Sequence, residues 1–333
     1  MSFRPAVLII CLIGSAAWGA PPARSAHALC EKVTFFTDDN LLLTAGYMPP
    51  VVRPNGRAPV AILLHMYRSD RSAFDPLLPA LRSAGFAVLA LDLRGHGESV
   101  GSPEMGLAER VERKDRKFFA AMDADVEAAY AWLAERPECD LSRFVIIGAS
   151  VGASIALKYT ARDKSVDGVI CLTPGVNYLG IDSLADAQKL GARPVMLLAS
   201  EPERAAAEQL GRQMPEATVQ IFPCADPDRM ALHGTRMFGR LAGLEKVIAE
   251  FARRAAGEQS EAPVVASTRG QVYYAPESSY ARKLNKRNLR WFSSPAEAES
   301  RGLRAPKSRS RSRGRQEGST VILDDEAFPD DPR

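Results

Sequence analysis

The chain has 333 residues, of which 46% are hydrophobic and 25% are charged, a composition typical of a globular protein. Its formal net charge of +3 gives no reason to expect nucleic acid or an acidic polymer as a partner. The length accommodates one catalytic domain with further segments at both ends.

The N-terminal residues 1–28 have the pattern of a secretory signal peptide. Arg4 precedes an apolar run over residues 6–18, and small residues follow, with cleavage expected after Ala20 or after Ala28. The apolar run is too short to predict a membrane-spanning helix, although an uncleaved anchor is the alternative interpretation. The pattern therefore predicts a periplasmic or secreted protein, with no spanning segment once the signal is removed.

Two buried strands are predicted early in the mature chain. Residues 59–64 form an apolar run that ends at His65, and residues 86–92 form the next run. The second run leads into the sequence Asp-Leu-Arg-Gly-His-Gly-Glu-Ser over residues 92–99. Between the two strands, the pattern of residues 74–84 predicts an amphipathic helix.

The most informative segment is Gly-Ala-Ser-Val-Gly over residues 148–152. It follows an apolar, β-branched run over residues 144–147 and precedes a segment that is compatible with a helix. This is the context of a Gly-x-Ser-x-Gly nucleophile elbow, in which a serine lies on a strained strand-to-helix turn and small neighbours allow close packing. The amides at the start of the following helix then face the negative charge that develops in acyl transfer. Ser150 is the predicted nucleophile.

A serine nucleophile needs a histidine base, which a carboxylate in turn orients. The chain has four histidines, and His233 alone lies downstream of Ser150. It stands in the sequence Ala-Leu-His-Gly-Thr, after a run with strand character at residues 218–222 and before a predicted helix at residues 244–256. His233 is the predicted general base.

In their order and spacing, these segments resemble the α/β-hydrolase superfamily, particularly its dienelactone-hydrolase-like and prolyl-oligopeptidase-like members. The strand before His65, the 92–99 block, the serine turn and the late His-Gly pair carry the resemblance, which covers roughly residues 32–255. It implies an α/β fold with a mostly parallel sheet and helices on both faces. Residues 174–193 leave no room for the large cap domain that many relatives insert there, so an open site is expected.

The resemblance also implies where the acid of the triad lies, in the loop after the strand predicted over residues 194–199. That loop contains Glu201 and Glu203 and no aspartate. Glu203 is preferred, because an acid-x-acid pattern after such a strand usually carries the working carboxylate second, and Glu201 is the alternative. Both glutamates can also be interpreted as solvated loop residues without a catalytic role.

By the same resemblance, two backbone amides form the oxyanion hole. One belongs to Tyr67, or alternatively to Met66, in the loop after the first of these strands, and the other belongs to Val151. His65 and His96 are expected to hold loops near the site rather than to act in catalysis.

These residues predict an exported serine hydrolase that cleaves an ester-like bond, in a carboxylic ester, lactone or thioester, through an acyl-enzyme on Ser150. The alternatives are a non-catalytic hydrolase-fold binding protein of the cell envelope and an acyltransferase that uses the same serine. A small-molecule ester-like substrate is expected, and no cofactor or metal. Arg68 and Arg94 indicate either a carboxylate-bearing substrate or ordinary surface and turn contacts. Substrate identity and oligomeric state stay open.

Four cysteines follow the predicted signal, namely Cys30, Cys139, Cys171 and Cys224. Export permits disulfides, and the three possible pairings stay open. Cys171 lies in a predicted buried strand, where a reduced thiol is as reasonable as a bridge. The sequence has no Cys-x-x-Cys arrangement, so it gives no indication of a zinc or redox site.

The predicted hydrolase domain spans residues 29–256, and the chain then changes in character. A polar linker is expected over residues 257–267, a small α+β module over residues 268–308 and a disordered, charged tail over residues 309–333. The module loosely resembles small metal-binding modules that end some bacterial nucleases, on the sequence Phe-Ser-Ser-Pro-Ala-Glu-Ala at residues 292–298.

The cysteines of that metal-binding pattern are replaced in this chain. Ser278 and Ser279 stand near the position of the first cysteine, and Pro306 and Arg309 stand near the last two. Tetrahedral zinc binding is not expected without thiolates. The segment therefore predicts a degenerate module that contributes packing or surface contacts.

Overall fold

The computed structural model describes residues 29–51, 56–257, 263–276, 278–284 and 288–306. The predicted signal peptide and the predicted charged tail lie outside these described residues. Within the described ranges, no helix is both long and apolar enough to cross a membrane.

The described chain alternates strands and helices over most of its length. The strands are β1 (Glu31–Phe36), β2 (Leu42–Met48), β3 (Ala58–Leu64), β4 (Ala87–Leu91), β5 (Cys139–Ala149), β6 (Val166–Leu172), β7 (Asn177–Tyr178), β8 (Ile181–Asp182), β9 (Val195–Ser200), β10 (Ala217–Phe222), β11 (Val264–Ser267), β12 (Tyr273–Tyr274) and β13 (Leu289–Phe292). The α-helices are α1 (Leu78–Ser83), α2 (Leu107–Glu112), α3 (Arg116–Ala120), α4 (Asp123–Leu133), α5 (Val151–Arg162), α6 (Ser183–Ala187), α7 (Arg204–Gly211), α8 (Leu244–Ala256), α9 (Ser279–Lys283) and α10 (Pro295–Ser300).

Eight of the strands form one sheet in the order β1-β2-β4-β3-β5-β6-β9-β10. Strand β2 pairs antiparallel with β1 and with β4, and the six strands from β4 to β10 pair in parallel. Parallel neighbours need crossover connections, and helices supply most of them here. The predicted α/β fold class is confirmed.

The central strands send alternate side chains to two separate cores, one on each face of the sheet. Ile62 and Ile146 pack in the core that includes α4 and α5, whereas Leu63 and Ile147 pack in the core that includes Phe251 of α8. Both faces are therefore covered, which explains why these strands are continuous apolar runs in the sequence. The carboxyl ends of the parallel strands meet at one edge, where the candidate site lies.

The helix predicted over residues 74–84 is wrong in its first half. Arg71–Phe74 forms a turn of 3-10 helix, and α1 begins only at Leu78. Pro76 and Pro79 explain the difference, because proline lacks an amide hydrogen and disfavours helical backbone in the residue before it. Pro79 is tolerated at the start of α1, where amide hydrogens have no intrahelical acceptor.

The segment between β6 and β9 contains the short hairpin β7–β8 and helix α6, and no large cap domain is formed by these described residues. The hairpin turns at Leu179 and Gly180, which both have positive φ (50° and 90°). This backbone matches the two-residue loops that connect hairpin strands when both loop residues have positive φ. The hairpin lies beside α5 and contributes to the site below.

The C-terminal module contains a three-stranded antiparallel sheet in the order β12-β11-β13, with α10 packed beside β13. Ser294 caps α10, since its hydroxyl accepts the amide hydrogen of Glu297 at 3.1 Å, and Pro295 follows it. Strand β11 lies inside the predicted linker, which is a correction. A run of four residues is too short to predict a strand from the sequence, and both pairing partners of β11 come later in the chain.

The four described cysteines are free thiols. Cys139 and Cys171 are buried, and burial raises the pKa of Cys139 to about 12. Cys30 and Cys224 are partly buried against the core that contains α8. The disulfide pairings left open by the sequence are therefore not formed among these residues.

Candidate active site

Ser150 lies between the end of β5 and the first residue of α5, with φ 53° and ψ −114°. A non-glycine residue rarely adopts this conformation, and such strain concentrates at functional sites. The turn can form because of its glycines. A Cβ atom on Gly152 would lie 2.6 Å from the carbonyl oxygen of His65 and closer still to that of Leu64. A Cβ atom on Gly148 would lie 2.6 Å from the amide nitrogen of Ala153.

His233 and Glu203 meet at this edge of the sheet. The Nδ1 atom of His233 lies 2.6 Å from Oε1 of Glu203, so the ring donates its Nδ1 hydrogen to the carboxylate. Both side chains are mostly buried. Glu201, the alternative acid, instead pairs with Arg204 through both carboxylate oxygens, at 3.0 and 2.7 Å. The structure thus brings Glu203 to His233 and leaves Glu201 at the surface.

Two hydroxyl groups that the sequence analysis did not select hold this pair. Ser200 is fully buried at the end of β9, and its hydroxyl donates to Oε2 of Glu203 at 3.1 Å. Thr173 follows β6 with φ 53°, and its hydroxyl accepts the amide hydrogen of Gly234 at 2.9 Å. Their positions directly at strand ends are the only sequence signal that could have indicated them.

A cavity of about 280 Å³ opens beside the serine. It is lined by Ser150, Thr173, Pro174, Gly175, Tyr178, Pro202, Glu203, Ala205, Ala206 and His233. The Ser150 hydroxyl makes no hydrogen bond to any described residue, His233 included, and it faces the same cavity as the histidine. The three predicted triad residues therefore share one cavity, with the histidine–carboxylate pair already formed.

The two predicted oxyanion amides lie in the loop after β3 and at the start of α5. Val151 is the first residue of α5, so its amide hydrogen has no acceptor within the helix. The turn that contains Tyr67 is closed by a hydrogen bond from the amide of Ser69 to the carbonyl of Met66 at 3.2 Å. Arg68 in this turn has φ 55°.

His65 holds two loops together, as expected. Its Nε2 atom accepts the amide hydrogen of Leu93 at 3.0 Å, so the hydrogen is on Nδ1, which donates to the carbonyl of Met66 at 2.7 Å. Burial lowers the pKa of His65 to about 3, which keeps the ring neutral. The loop that carries Tyr67 is thereby fixed to the loop after β4.

His96 is also buried, against the rings of His65, Tyr67 and Phe119. Its Nδ1 atom donates to the carbonyl of Arg94 at 3.2 Å, and its Nε2 atom has no hydrogen-bond partner among the described residues. Burial lowers the pKa of His96. The ring of His96 packs against the ring of Tyr67, and it does not line the cavity.

Arg68 and Arg94 form ion pairs away from the cavity, which agrees with the alternative of ordinary structural contacts and not with carboxylate binding. Arg94 is buried and pairs with Asp125 at 2.6 Å and with Asp39 at 2.7 Å. Arg68 pairs with Glu112 at the surface. Neither side chain lines the cavity beside Ser150.

Among the described residues, no group of three or more histidine, cysteine, aspartate or glutamate side chains could hold a metal ion. In the module, Ser278 is the N-cap of α9 and accepts the amide hydrogen of Ala281 at 3.1 Å. This position of the C-terminal module therefore has a helix-capping role.

A second, larger cavity of about 750 Å³ lies between the hydrolase domain and the module. Trp132 and Arg162 line one side, and Arg269 and Phe292 line the other. None of the residues around Ser150 contributes to it, so it is not part of the candidate active site.

The chain matches one known protein family over most of its described sheet. The family described as serine aminopeptidase, S33, matches residues 57–232, which is more than half of the chain. The chain belongs to this family of α/β hydrolases. The matched S33 region runs from β3 to the residue before His233, so it contains the serine turn and the Glu203 loop. Membership of the S33 family assigns the chain to the α/β-hydrolase fold.

Curated relatives match a shorter region than the S33 family does. An uncharacterized protein of Mycobacterium tuberculosis is 31% identical over 138 residues, which are 41% of this chain and 43% of the relative. The protein bem46 of Schizosaccharomyces pombe is 25% identical over 135 residues, 40% of each chain. This S33 chain thus spans less than half the length of the curated relatives it matches.

Solved structures share the fold of this S33 family member. An esterase of Pyrococcus furiosus is 20% identical with a TM-score of 0.52, over 72% of this chain and 96% of the esterase. A dienelactone hydrolase of Anabaena variabilis is 21% identical with a TM-score of 0.50, over 68% of this chain and 96% of that enzyme. At these identities the likeness is one of fold.

Proposed function

We propose that this protein is a serine hydrolase that cleaves an ester-like bond, in a carboxylic ester, lactone or thioester, through an acyl-enzyme on Ser150. The observation that carries the proposal is the 2.6 Å contact between His233 Nδ1 and Glu203 Oε1, beside a cavity that Ser150 also lines. A carboxylate bound to Nδ1 fixes the tautomer in which Nε2 is free to accept a proton.

In the proposed reaction, the Ser150 oxygen attacks the carbonyl carbon while His233 Nε2 takes the hydroxyl proton. The bond from the carbonyl carbon to the leaving oxygen or sulfur then breaks, and His233 gives the proton to that leaving atom. A water molecule repeats the attack on the acyl-enzyme, again with His233 as base, and releases the acid. Glu203 stabilises the imidazolium that forms in each half-reaction.

The amides of Val151 and Tyr67 are the proposed donors to the oxyanion. Val151 begins α5, whose N-terminal dipole favours negative charge, and a free amide hydrogen there needs no rearrangement to bind the oxygen. The Tyr67 loop is held by the two hydrogen bonds of His65. Loss of one such donor typically lowers turnover by about 10²–10³.

The chemistry of the cavity favours an ester over the free N-terminus of a peptide, the substrate that the family name describes. A protonated α-amine needs a carboxylate or several acceptors to replace its water. Among the residues that line the cavity, Glu203 is the only ionisable acid, and its two oxygens already bind His233 and Ser200. A neutral ester group has no such requirement.

The proposal includes export to the periplasm or the medium, on the sequence pattern of residues 1–28 alone. The exported form then comprises residues 29–333. No cofactor or metal takes part in the proposed reaction. An acyltransferase would share the acyl-enzyme, and product analysis with an added alcohol separates it from a hydrolase.

Fluorophosphonate labelling of the exported form tests the activated serine. We expect the wild-type protein to label and Ser150→Ala to lose labelling completely, because the reagent reacts only with an activated hydroxyl. Glu203→Gln should label more slowly, by at least tenfold, because a neutral amide stabilises the imidazolium poorly. Glu201→Gln is the matched control and should label at the wild-type rate, since Glu201 pairs with Arg204.

Far-ultraviolet circular dichroism of each variant checks that the fold is kept. A folded wild-type protein that does not label would instead support the non-catalytic envelope-protein alternative. Equal slowing in Glu201→Gln and Glu203→Gln would contradict the assignment of the acid.

A further inference from the structure

The hairpin β7–β8 provides one wall of the cavity beside Ser150. Tyr178, the last residue of β7, lines the cavity directly. Its aromatic ring lies over Gly175, where a Cβ atom would lie 3.4 Å from the Tyr178 Cβ atom and 3.7 Å from its Cδ2 atom. The backbone between Gly175 and Tyr178 is thus folded back, and Tyr178 lies at this side of the cavity.

The hairpin is anchored to the rest of the domain. Ile181, which pairs with Tyr178, is buried in the core that contains α5. Asp182 accepts the amide hydrogen of Ala185 at 3.1 Å and so caps α6, and the Ser183 hydroxyl donates to the buried hydroxyl of Ser154 at 2.9 Å. Gly180 lies so close to Arg116 that a Cβ atom there would be 2.7 Å from the arginine Cβ. These contacts therefore hold the hairpin, and with it Tyr178, in place against α5 and α6.

Small side chains also line the cavity. They are Pro202 and, from the first turn of α7, Ala205 and Ala206. The hydroxyl of Tyr178 makes no hydrogen bond to any described residue, so the tyrosine contributes its ring and its volume. Apart from the triad residues and Thr173, whose hydroxyl accepts from Gly234, the lining is apolar or backbone.

The volume of this cavity is small for a ligand site. At about 280 Å³ it falls just below the range of about 300–1,000 Å³ in which drug-sized ligands bind. Ser150 and His233 occupy part of its wall, so the space beyond the reacting atoms holds only a few carbon atoms. A short apolar group can be buried wholly in this space, whereas a longer chain cannot be, and a charged group would lose its water without a partner.

We propose that Tyr178 limits the substrates of this enzyme to esters with a short apolar group, by closing the cavity beside Ser150. The inference rests on the proposed function and specifies its substrate class. The short group is either the acyl chain or the alkyl chain of the alcohol. The acyl chain is bonded to the carbonyl carbon that Ser150 attacks and the alkyl chain to the neighbouring ester oxygen, so either can enter the cavity.

Two series of esters test the inference and separate these sources. The first series is p-nitrophenyl acetate, butyrate, octanoate and decanoate, and the second is ethyl, butyl, octyl and decyl acetate. For the wild-type protein, kcat/KM should fall by at least tenfold between the four-carbon and eight-carbon members of one series, since each poorly fitting methylene costs about tenfold or more. A fall of kcat/KM in the first series shows that the acyl chain occupies the cavity, and a fall in the second series shows that the alkyl chain of the alcohol does.

Tyr178→Ala should raise kcat/KM for the eight-carbon ester, relative to the four-carbon ester, by about tenfold or more. Tyr178→Phe retains the ring and should keep the wild-type chain-length preference. Ala206→Leu fills part of the cavity from α7. It should lower kcat/KM for the four-carbon ester relative to the two-carbon ester of the same series. Tyr274→Ala removes a tyrosine of the module and is the matched control, with the wild-type profile expected.

The outcomes distinguish the two proposals. If no ester is hydrolysed and Ser150 does not label, the proposed function fails. If esters are hydrolysed by a Ser150-dependent reaction but the profile is flat, or Tyr178→Ala and Ala206→Leu leave it unchanged in folded proteins, the inference about Tyr178 is overturned and the proposed function stands. Thermal melting of each variant checks the fold.

Discussion

At the scale of single residues, the site depends on hydroxyl groups behind the histidine and the carboxylate. A glutamate has one methylene more than an aspartate, so its carboxylate needs more support to stay in one orientation. Ser200 supplies that support from the end of β9, and Thr173 fixes the backbone next to His233 from the end of β6. Ser200 therefore acts on Glu203 and Thr173 on the backbone beside His233, and neither hydroxyl is hydrogen-bonded to Ser150.

We expect Ser200→Ala to lower kcat by about tenfold with little change in KM, because the lost hydrogen bond to a carboxylate is worth about 1.5 kcal/mol. Ser200→Thr keeps the hydroxyl and should restore most of the rate. Steady-state kinetics on a short ester and the rate of fluorophosphonate labelling measure the effect.

Ser142→Ala is the matched control for this experiment. Ser142 is also a buried serine, and its hydroxyl donates to a carboxylate, that of Asp140, at 2.6 Å, near the other end of β5. Its loss affects stability and should leave kcat unchanged. Equal losses of kcat in Ser142→Ala and Ser200→Ala would contradict the positioning role of Ser200.

At the scale of elements, the turn between β5 and α5 is built by backbone approach rather than by side chains. The start of α5 passes so close to the end of β3 that Gly152 faces the carbonyl oxygens of Leu64 and His65. This contact joins the nucleophile to the strand that carries the Tyr67 loop. The distance between the two proposed oxyanion donors is therefore set by one glycine.

We expect Gly152→Ala to lower the free energy of unfolding by about 3 kcal/mol or more, because a methyl group cannot share this space with two backbone carbonyls. Urea denaturation measures the effect on soluble protein, and labelling of Ser150 measures the displacement of the turn. A wild-type urea midpoint together with wild-type labelling would overturn this account of the turn.

Gly270→Ala is the control for the loss of glycine itself. Gly270 has ordinary backbone dihedrals and lies in the module, where the new methyl group meets only Ser267 at 3.3 Å. Its unfolding free energy should change by less than about 1 kcal/mol.

At the scale of the whole molecule, the C-terminal module is fixed to the hydrolase domain by two arginines. Arg290 of β13 is buried and pairs with Asp163 and Glu127, and its guanidinium lies 4.5 Å from the ring centre of Tyr130. Arg301 donates to the carbonyls of Lys164 and Val166 at 2.9 and 2.8 Å. The module is therefore an integral part of this fold.

We expect Arg290→Ala to lower the free energy of unfolding by about 3–5 kcal/mol, because it leaves the buried carboxylate of Asp163 without its cation. Arg290→Lys should recover only part of the loss, since one ammonium group cannot serve Asp163 and Glu127 in the same geometry. Differential scanning calorimetry of the full chain measures both effects.

The control is Arg269→Ala, which removes an exposed arginine of the same module. Its melting temperature should stay within about 1 °C of the wild-type value. If Arg290→Ala melts like Arg269→Ala, the module is not held by this contact.

The central apolar strands and the local chemistry of the serine turn could be predicted because they depend on neighbouring residues. The apolar runs, the Gly-x-Ser-x-Gly turn and the order of Ser150, Glu203 and His233 are all visible along the chain. The helix predicted over residues 74–84 is wrong in its first half because Pro76 and Pro79 interrupt an amphipathic pattern that would otherwise favour a helix. Strand β11 was missed because a four-residue strand is recognised by its partners rather than by its own sequence.

The fold family and the segment that carries each candidate catalytic residue could be predicted from the amino-acid sequence, since hydrophobic periodicity and turn chemistry are local properties. Three features became visible in the folded structure alone: Glu203 rather than Glu201 contacts His233, Ser200 and Thr173 support the pair, and Tyr178 lines the cavity beside Ser150. Each of these contacts joins the ends of different strands or a hairpin to a helix. Such contacts depend on how the sheet brings distant segments together, and spacing along the chain does not encode them.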